Sequence, residues 1–490
     1  MTYRTPEQMG ISSKHVLSFY KELDYWHLST HAVILSRGNE VFSECYYAPF
    51  HAEFLHRMYS TTKSFVSVAI GFCEQDGLLS LDDPLCKFFP EYKDSEYFYT
   101  TSIRDMLQMR TAKDASGSTG WFGARTDDRV GYYFSRPPLK NAGSLFYYDS
   151  NGSFMLGAVV EKLTGKPFIE YLKDKALREI GFSEQAHCLQ CPGGHSWGDS
   201  GLLCTARDLW LFARFVLNGG TWNGKRYLNE AYLKAATAAT VPTNPYGFGD
   251  LHDLQGYGYQ FWGAPRGCFA TLGMGNQVSF CDPAHDFIMV INSDNQGNTN
   301  AYEQIFGALY RNLLDHLEDH PLPEDPAAKA ELDAYLATRK LFTLYESPSS
   351  PLAEAVAGKV FCCEENPMGI KWFRLDFKGD EGSFTYENAQ GEKCMRFGFG
   401  HNVFEKFPEE GYSDLVGSVY CPGNYYDAAF SADWPSENTL RVRVQIIDKY
   451  FGNLSMLFGF SDENTVSLRM EKKAEDFLTT YRGIANAKAT

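Results

Sequence analysis

No run of apolar residues in this 490-residue chain is long enough to cross a bilayer, and Met1-Thr2-Tyr3-Arg4-Thr5-Pro6-Glu7-Gln8 lacks the apolar segment of a signal peptide. A soluble, cytoplasmic protein is the expectation. Positive charge is scarce: 45 Lys and Arg against 61 Asp and Glu give a net charge of −16, which disfavours nucleic acid and anionic membranes as partners. The twelve cysteines show no framework of spacings typical of small secreted domains, so mostly buried free thiols in a reducing compartment are expected. There is no internal repeat. The composition, 44% apolar and 22% charged with abundant aromatics, is that of a globular protein, and the length suits two or three domains.

Within this background one stretch organises the rest. His56-Arg57-Met58-Tyr59-Ser60-Thr61-Thr62-Lys63-Ser64-Phe65 runs on into Val66-Ser67-Val68-Ala69-Ile70-Gly71 without a proline, predicting a helix that begins near Ser60. A helix sets Ser60 and Lys63 one turn apart on one face, with Cβ atoms within about 5–6 Å. A neutral lysine there can take the serine proton, and the helix N-terminus offers unpaired N–H groups to a developing oxyanion. By itself Ser-x-x-Lys is equally a helix cap followed by a solvated lysine.

Residues 31–37 and 40–47 flank Gly38-Asn39 and read as a β-hairpin. From about 100 to 240 the pattern is mainly helical, with a capped start at Thr101-Ser102 and amphipathic segments near 154–177 and 205–218. Strand signals return at 256–262, 268–272, 277–280 and 287–292, followed by a helix near 301–318. Strands at both ends of a helical middle predict one α+β domain, residues 1–320, whose sheet is assembled from distant sequence. Proline-rich segments at 321–326 and 347–351 bracket a helical stretch and suggest a linker, 321–355. Beyond it, 356–490 reads as a β-rich accessory domain, an antiparallel sheet or small barrel.

Two other patterns invite chemistry. Gly194-His195-Ser196-Trp197-Gly198 fits the nucleophile elbow Gly-x-Ser-x-Gly, but that motif needs a strand before it and a helix directly after, and the flanks here read as a polar loop. His187, Cys188, Cys191 and His195 could form half a zinc site, but no second cluster of matching spacing accompanies them, so no metal is expected.

The order of motifs resembles the serine β-lactamase and penicillin-binding-protein-like family, in particular its class C and esterase-like branch, over roughly residues 5–318. Ser60-Thr61-Thr62-Lys63 is similar to that family's first motif. Gly77-Leu78-Leu79-Ser80-Leu81-Asp82-Asp83, Ile103-Arg104-Asp105-Met106-Leu107 and Gly201-Leu202-Leu203-Cys204-Thr205-Ala206-Arg207-Asp208-Leu209 are further family-like markers. Setting Gly157 on the family's glycine puts Tyr148 on the tyrosine of its Tyr-x-Asn motif, with Ser150 in place of asparagine and Asn151 one place out of register. The third motif, Lys-Thr-Gly or His-x-Gly, falls at Leu272-Gly273-Met274-Gly275-Asn276-Gln277, with Met274 where a cation is usual.

The resemblance implies a β-lactamase-like fold and a serine hydrolase in which Ser60 is the nucleophile and Lys63 and Tyr148 form the acid–base pair. Gln277 would supply an oxyanion N–H, with Ser150, Asn276 and Gly275 beside the substrate. No metal or cofactor is implied. The substrate expected is a small ester, amide or peptide. D-Aminopeptidase or DD-peptidase action, or weak β-lactamase activity, is the alternative, lowered by the missing cation that would hold a substrate carboxylate. A non-catalytic binding or regulatory member is the alternative from another class. Homo-oligomerisation stays open.

Overall fold

The computed structural model describes residues 1–98, 101–113, 126–243, 256–413, 418–474 and 478–490. The chain divides into two compact units, with the division at Lys340/Leu341.

The first unit is built on a seven-stranded sheet of β1 (Thr2–Tyr3), β2 (Thr30–Arg37), β3 (Glu40–Tyr46), β4 (Trp262–Ala264), β5 (Cys268–Gly273), β6 (Gln277–Asp282) and β7 (Phe287–Ser293). The order is β1-β3-β2-β7-β6-β5-β4, antiparallel except at β1–β3. The two ends of the unit therefore meet where β2 pairs with β7, Val33 opposite Ile291 and Leu35 opposite Met289. The hairpin of β2 and β3 forms as the Gly38-Asn39 turn predicts. Both faces of the sheet are covered, so its central strands read as continuous apolar runs rather than alternating ones. On one face Val33, Leu35, Val278, Phe280, Met289 and Ile291 share a core with Val16, Leu17 and Leu23 of α1 (Ser13–Tyr25). On the other, Trp210 Nε1 donates to Ser36 Oγ at 2.7 Å.

The helices include α2 (Thr62–Gln75), α3 (Arg129–Ser135), α4 (Ser150–Thr164) and α5 (Ala206–Leu217). Local chemistry sets their starts. Thr205 and Asp208 form a reciprocal capping box at α5, and Asp149 caps α4 through the N–H of Gly152. α2 is buried nearly all round, from Thr62 to Cys73, which makes it the central helix of the unit. Among the described residues no helix is long and apolar enough to cross a membrane.

One predicted strand did not form. Residues 256–261 hold only isolated bridges at Tyr257, and the strand begins at Trp262. The alternation Gly256-Tyr257-Gly258-Tyr259 imitates a period of two, but Gly256 has φ +98° and Gln260 φ +62°, and a Cβ at Gly258 would lie 2.0 Å from the carbonyl oxygen of Ala236. Those residues serve a tight coil instead. Gln260 then bridges three helices: its side chain donates to the carbonyls of Met106 and Leu107 and accepts from Ser153 Oγ, and its main-chain carbonyl accepts from Ser64 Oγ of α2.

The second unit is a closed barrel. Nine strands (Val360–Cys363, Trp372–Lys378, Glu381–Asn388, Gly391–Phe399, Asp427–Ser436, Thr439–Ile447, Phe451–Asp462, Thr465–Lys473 and Gly483–Ala489) form the ring. It closes where Gly398 and Phe399 run parallel to Ser431 and Ala432. In Thr439–Ile447, Leu440, Val442 and Val444 are buried while Arg441 and Arg443 are half-exposed, the alternation of a strand with one inward face. Phe361 stacks on Phe373 in the interior, and Phe384 and Phe458 pack against Phe373 and each other at tilted to edge-on angles.

A buried histidine pair lies under the turn that leads to Ser60. His56 Nδ1 donates to the carbonyl of Arg57, so its Nε2 accepts from His31 Nδ1 at 2.9 Å, and both rings are neutral. Burial pushes both pKa values down, His56 to about 3. A histidine depressed in the fold contributes fully above its unfolded value near 6.5, and its contribution falls away as pH drops toward the folded value, at about 1.4 kcal/mol per pH unit. The melting temperature should therefore fall between pH 7 and pH 5, and His31→Gln should lose less over that interval. An identical acid loss in the variant would remove the pair as its cause.

Candidate active site

Ser60 sits in a 3-10 turn, Tyr59–Thr61, that runs directly into α2. The residue before it, Tyr59, has φ +46°, a left-handed conformation that costs a non-glycine residue about 1–3 kcal/mol and persists only where its surroundings enforce it. The enforcement is visible. The Arg57 guanidinium stacks 4.3 Å from the Tyr59 ring centroid and 4.6 Å from that of Trp197, while donating to the carbonyl and hydroxyl of Ser200. Thr62 Oγ1 accepts from the N–H of Leu202, and the N–H of Met58 donates to the Leu202 carbonyl.

One helical turn after Ser60, Lys63 is 2% exposed. Its Nζ donates to Ser60 Oγ at 2.9 Å and to the main-chain carbonyl of Asp199 at 2.6 Å, and lies 5.1 Å from the centroid of the Tyr148 ring. Tyr148 is half-buried and stacked on Trp262, with centroids 5.8 Å apart and planes at 18°. It is placed by the start of α4: Asp149, the next residue, caps that helix and accepts from Thr111 Oγ1 at 2.7 Å. Burial raises the Asp149 pKa, against the hydrogen bonds from Gly152 and Thr111. Ser60, Lys63 and Tyr148, 88 residues apart from first to last, thus converge as the motif reading anticipates.

The remaining predicted residues take different places. Ser150 is the first residue of α4 and 6% exposed. Gly275 and Asn276 form the β5–β6 turn, both left-handed, with φ +78° and +71°, and Ser293 Oγ donates to both of their carbonyls. Gln277 is fully buried. Its side chain donates to the carbonyls of Ser293 and Met274 and accepts from Asn292, so it braces the hairpin and leaves only main-chain groups for a substrate. The hairpin is tied to the serine turn, since Thr61 Oγ1 donates to the Gln277 carbonyl at 3.1 Å. A Cβ on Gly273 would lie 2.3 Å from the Met58 carbonyl oxygen, so glycine there lets β5 run against the backbone leading to Ser60. Met274 is 46% exposed at this edge.

The Gly194–Gly198 loop is not a nucleophile elbow. Ser196 is buried, its N–H donates to Glu161, and α5 begins only at Ala206. Nor is it half a zinc site: His195 pairs with Glu161, Cys191 accepts from Arg129, and no group of ligands that could hold a metal occurs among the described residues. The loop matters for another reason. It delivers the Asp199 carbonyl to Lys63, and the Asp199 carboxylate forms a buried ion pair with Arg129 at 2.8 Å. Sequence reasoning missed Arg57, Arg129, Asp199 and Trp262. Their partners lie 70 residues away for Arg129–Asp199 and 143 for Arg57–Ser200, and no local pattern announces such pairs.

A central antiparallel sheet flanked by helices, with a serine–lysine contact at the head of the central helix, defines the class as a β-lactamase-like serine hydrolase. The chain belongs to the Beta-lactamase family, whose model matches residues 24–309. A 6-aminohexanoate-dimer hydrolase of Paenarthrobacter ureafaciens is 26% identical over 281 residues, covering 53% of this chain and 71% of that one. Among solved structures, a candidate 6-aminohexanoate-dimer hydrolase from Bacillus anthracis superposes with a TM-score of 0.53 at 20% identity, covering 62% of this chain and 83% of the other. A penicillin-binding-protein homologue from Caulobacter crescentus does so with a TM-score of 0.50 at 16% identity, covering 62% and 98%. At these identities the two structures speak for the fold.

Proposed function

We propose that this enzyme hydrolyses small amides or carboxylic esters through an acyl-enzyme on Ser60. The observation that carries the reading is the 2.9 Å contact between Ser60 Oγ and the Nζ of a lysine that is 2% exposed. In the neutral form Lys63 accepts the serine proton as Oγ attacks the carbonyl carbon. The oxyanion forms against the N–H of Ser60 and a main-chain N–H of the β5–β6 hairpin, taken as that of Gln277, with Gly275, Asn276 and Ser150 beside the substrate. Tyr148, next to Lys63, protonates the leaving amine or alcohol, and water, deprotonated by the same pair, releases the acid. No step draws on a metal.

Met274, in the place of the family's usual lysine or histidine, removes the group that would pair with a substrate carboxylate. That turns the reading away from β-lactams and cell-wall peptides. The relative named as a 6-aminohexanoate-dimer hydrolase turns it toward linear amides of amino acids. A panel of p-nitrophenyl esters, linear amino-acid dimers, D-amino-acid anilides and nitrocefin tests this. Esters or linear amides should be turned over, with nitrocefin slower by about 10–100-fold, the worth of a lost charge-assisted contact. Ser196→Ala should behave as wild type. Nitrocefin as the best substrate would overturn the ranking, and no turnover on any member of the panel would favour a non-catalytic role.

A further inference from the structure

We infer that the buried Arg129–Asp199 ion pair is a positioning device for Lys63 and Tyr148, fixing both the place of the base and the charge it meets; this rests on the Ser60 reading above. Asp199 is fully buried and Arg129 2% exposed. A paired charge so deep rarely stabilises a fold more than apolar side chains of the same volume would, so the pair calls for another role. Its connections supply one. Arg129, the first residue of α3, donates from one nitrogen to Asp199 Oδ1 at 2.8 Å and to Cys191 Sγ at 3.2 Å, and from the other to Asn151 Oδ1 at 3.0 Å, with its guanidinium 4.1 Å from the Phe154 ring centroid. One rigid planar group thus grips the loop that presents the Asp199 carbonyl to Lys63 and the head of α4, three residues past Tyr148. Arg57 clamps the next loop residue, Ser200, to the strand that leads into the serine turn. Among the described residues Asp199 Oδ2 and Arg129 Nε are buried without a hydrogen-bond partner, so each charge of the pair is balanced chiefly by the other.

Other charged or titratable groups round this end of α2, among the described residues, include Arg57 and Tyr59, Tyr148 with Tyr257 beside it, Asp149 faced by Lys113 and Lys140, Cys188, Cys191, and Glu161 paired with His195. Tyr171 and Tyr232 reach the helix further along, at Asp76 and Ser67. Arg129 and Asp199 form a fully buried ion pair, whereas the His195–Glu161 pair nearby is partly exposed. Removing one member alone exposes the charge of the other to the base.

The test is the pH dependence of kcat/KM for a p-nitrophenyl ester, whose ascending limb reports loss of the proton that must leave the free enzyme before Ser60 attacks. Asp199→Asn leaves the guanidinium unbalanced and should move that limb toward acid by about one pH unit. Arg129→Gln leaves the carboxylate unbalanced and should move it toward alkali by a similar amount. The double variant should return close to wild type in pH while remaining slower, because the loop has lost its clamp. A merely structural pair would slow all three without moving the limb, and an unmoved limb in any folded single variant overturns the inference. Should both single variants fail to fold by circular dichroism, Asn151→Asp decides: it adds a carboxylate on the other side of Arg129, and an alkaline shift supports the inference while no shift sinks it. Wild-type hydrolysis by Ser60→Ala would instead bring down the underlying reading.

Discussion

Lys63→Met is expected to lower kcat/KM for ester and amide substrates by about 10³–10⁴-fold, the range lost when a positioned base no longer activates its nucleophile. Methionine matches the length and apolar stem of lysine, so the change isolates the amine. Lys63 is 2% exposed and sits on the central helix, leaving no room for bulk water to replace Nζ, which donates to both Ser60 Oγ and the Asp199 carbonyl. The fold should survive, because the substitution replaces a buried amine with an apolar group of about the same volume. A residual rate within tenfold of wild type, with the melting temperature unchanged, would take the role of base away from Lys63.

Tyr148→Phe should cost about 10²-fold on amides and much less on p-nitrophenyl esters. The reason lies in the leaving group. An amine must be protonated before it departs, whereas p-nitrophenolate leaves as the anion, so an acid is needed in the first case alone. Phenylalanine keeps the ring stacked on Trp262 and beside Lys63 Nζ, so packing on both sides is preserved and only the hydroxyl is lost. Steady-state rates on a matched amide and ester pair measure the difference. Equal losses on the two substrates would mean that Tyr148 shapes the site without donating a proton.

How much of this was legible in the sequence depends on how local each signal is. The β2–β3 hairpin, the helix after Ser60, the capped start of α5 and the strands at β5, β6 and β7 were readable because turn residues, caps and apolar runs act within a few positions. The segment 256–261 misled because alternating tyrosine and glycine matches a strand's period while the glycines serve a tight coil. Ser60 and Lys63 were readable because helical spacing alone brings them together. Tyr148 needed the family resemblance, since its ring reaches Lys63 through tertiary packing. Asp199 was invisible for a deeper reason: it reaches Lys63 through its main-chain carbonyl, which any residue possesses, and its side chain pairs with an arginine 70 positions away. The Gly-x-Ser-x-Gly pattern nearby drew attention to the right loop for the wrong atom. Gln277 shows the converse: its strand was readable, while nothing local announces that its side chain is spent on bracing the hairpin.

The central claim is that Ser60 becomes covalently acylated, and labelling with a fluorophosphonate probe followed by peptide mass spectrometry tests it most directly. One adduct per chain is expected, on the peptide holding Ser60-Thr61-Thr62-Lys63, formed by native wild type and by Ser196→Ala, and absent from Ser60→Ala and from protein denatured before the probe is added. An unlabelled wild type, or an adduct that persists unchanged in Ser60→Ala, would contradict it.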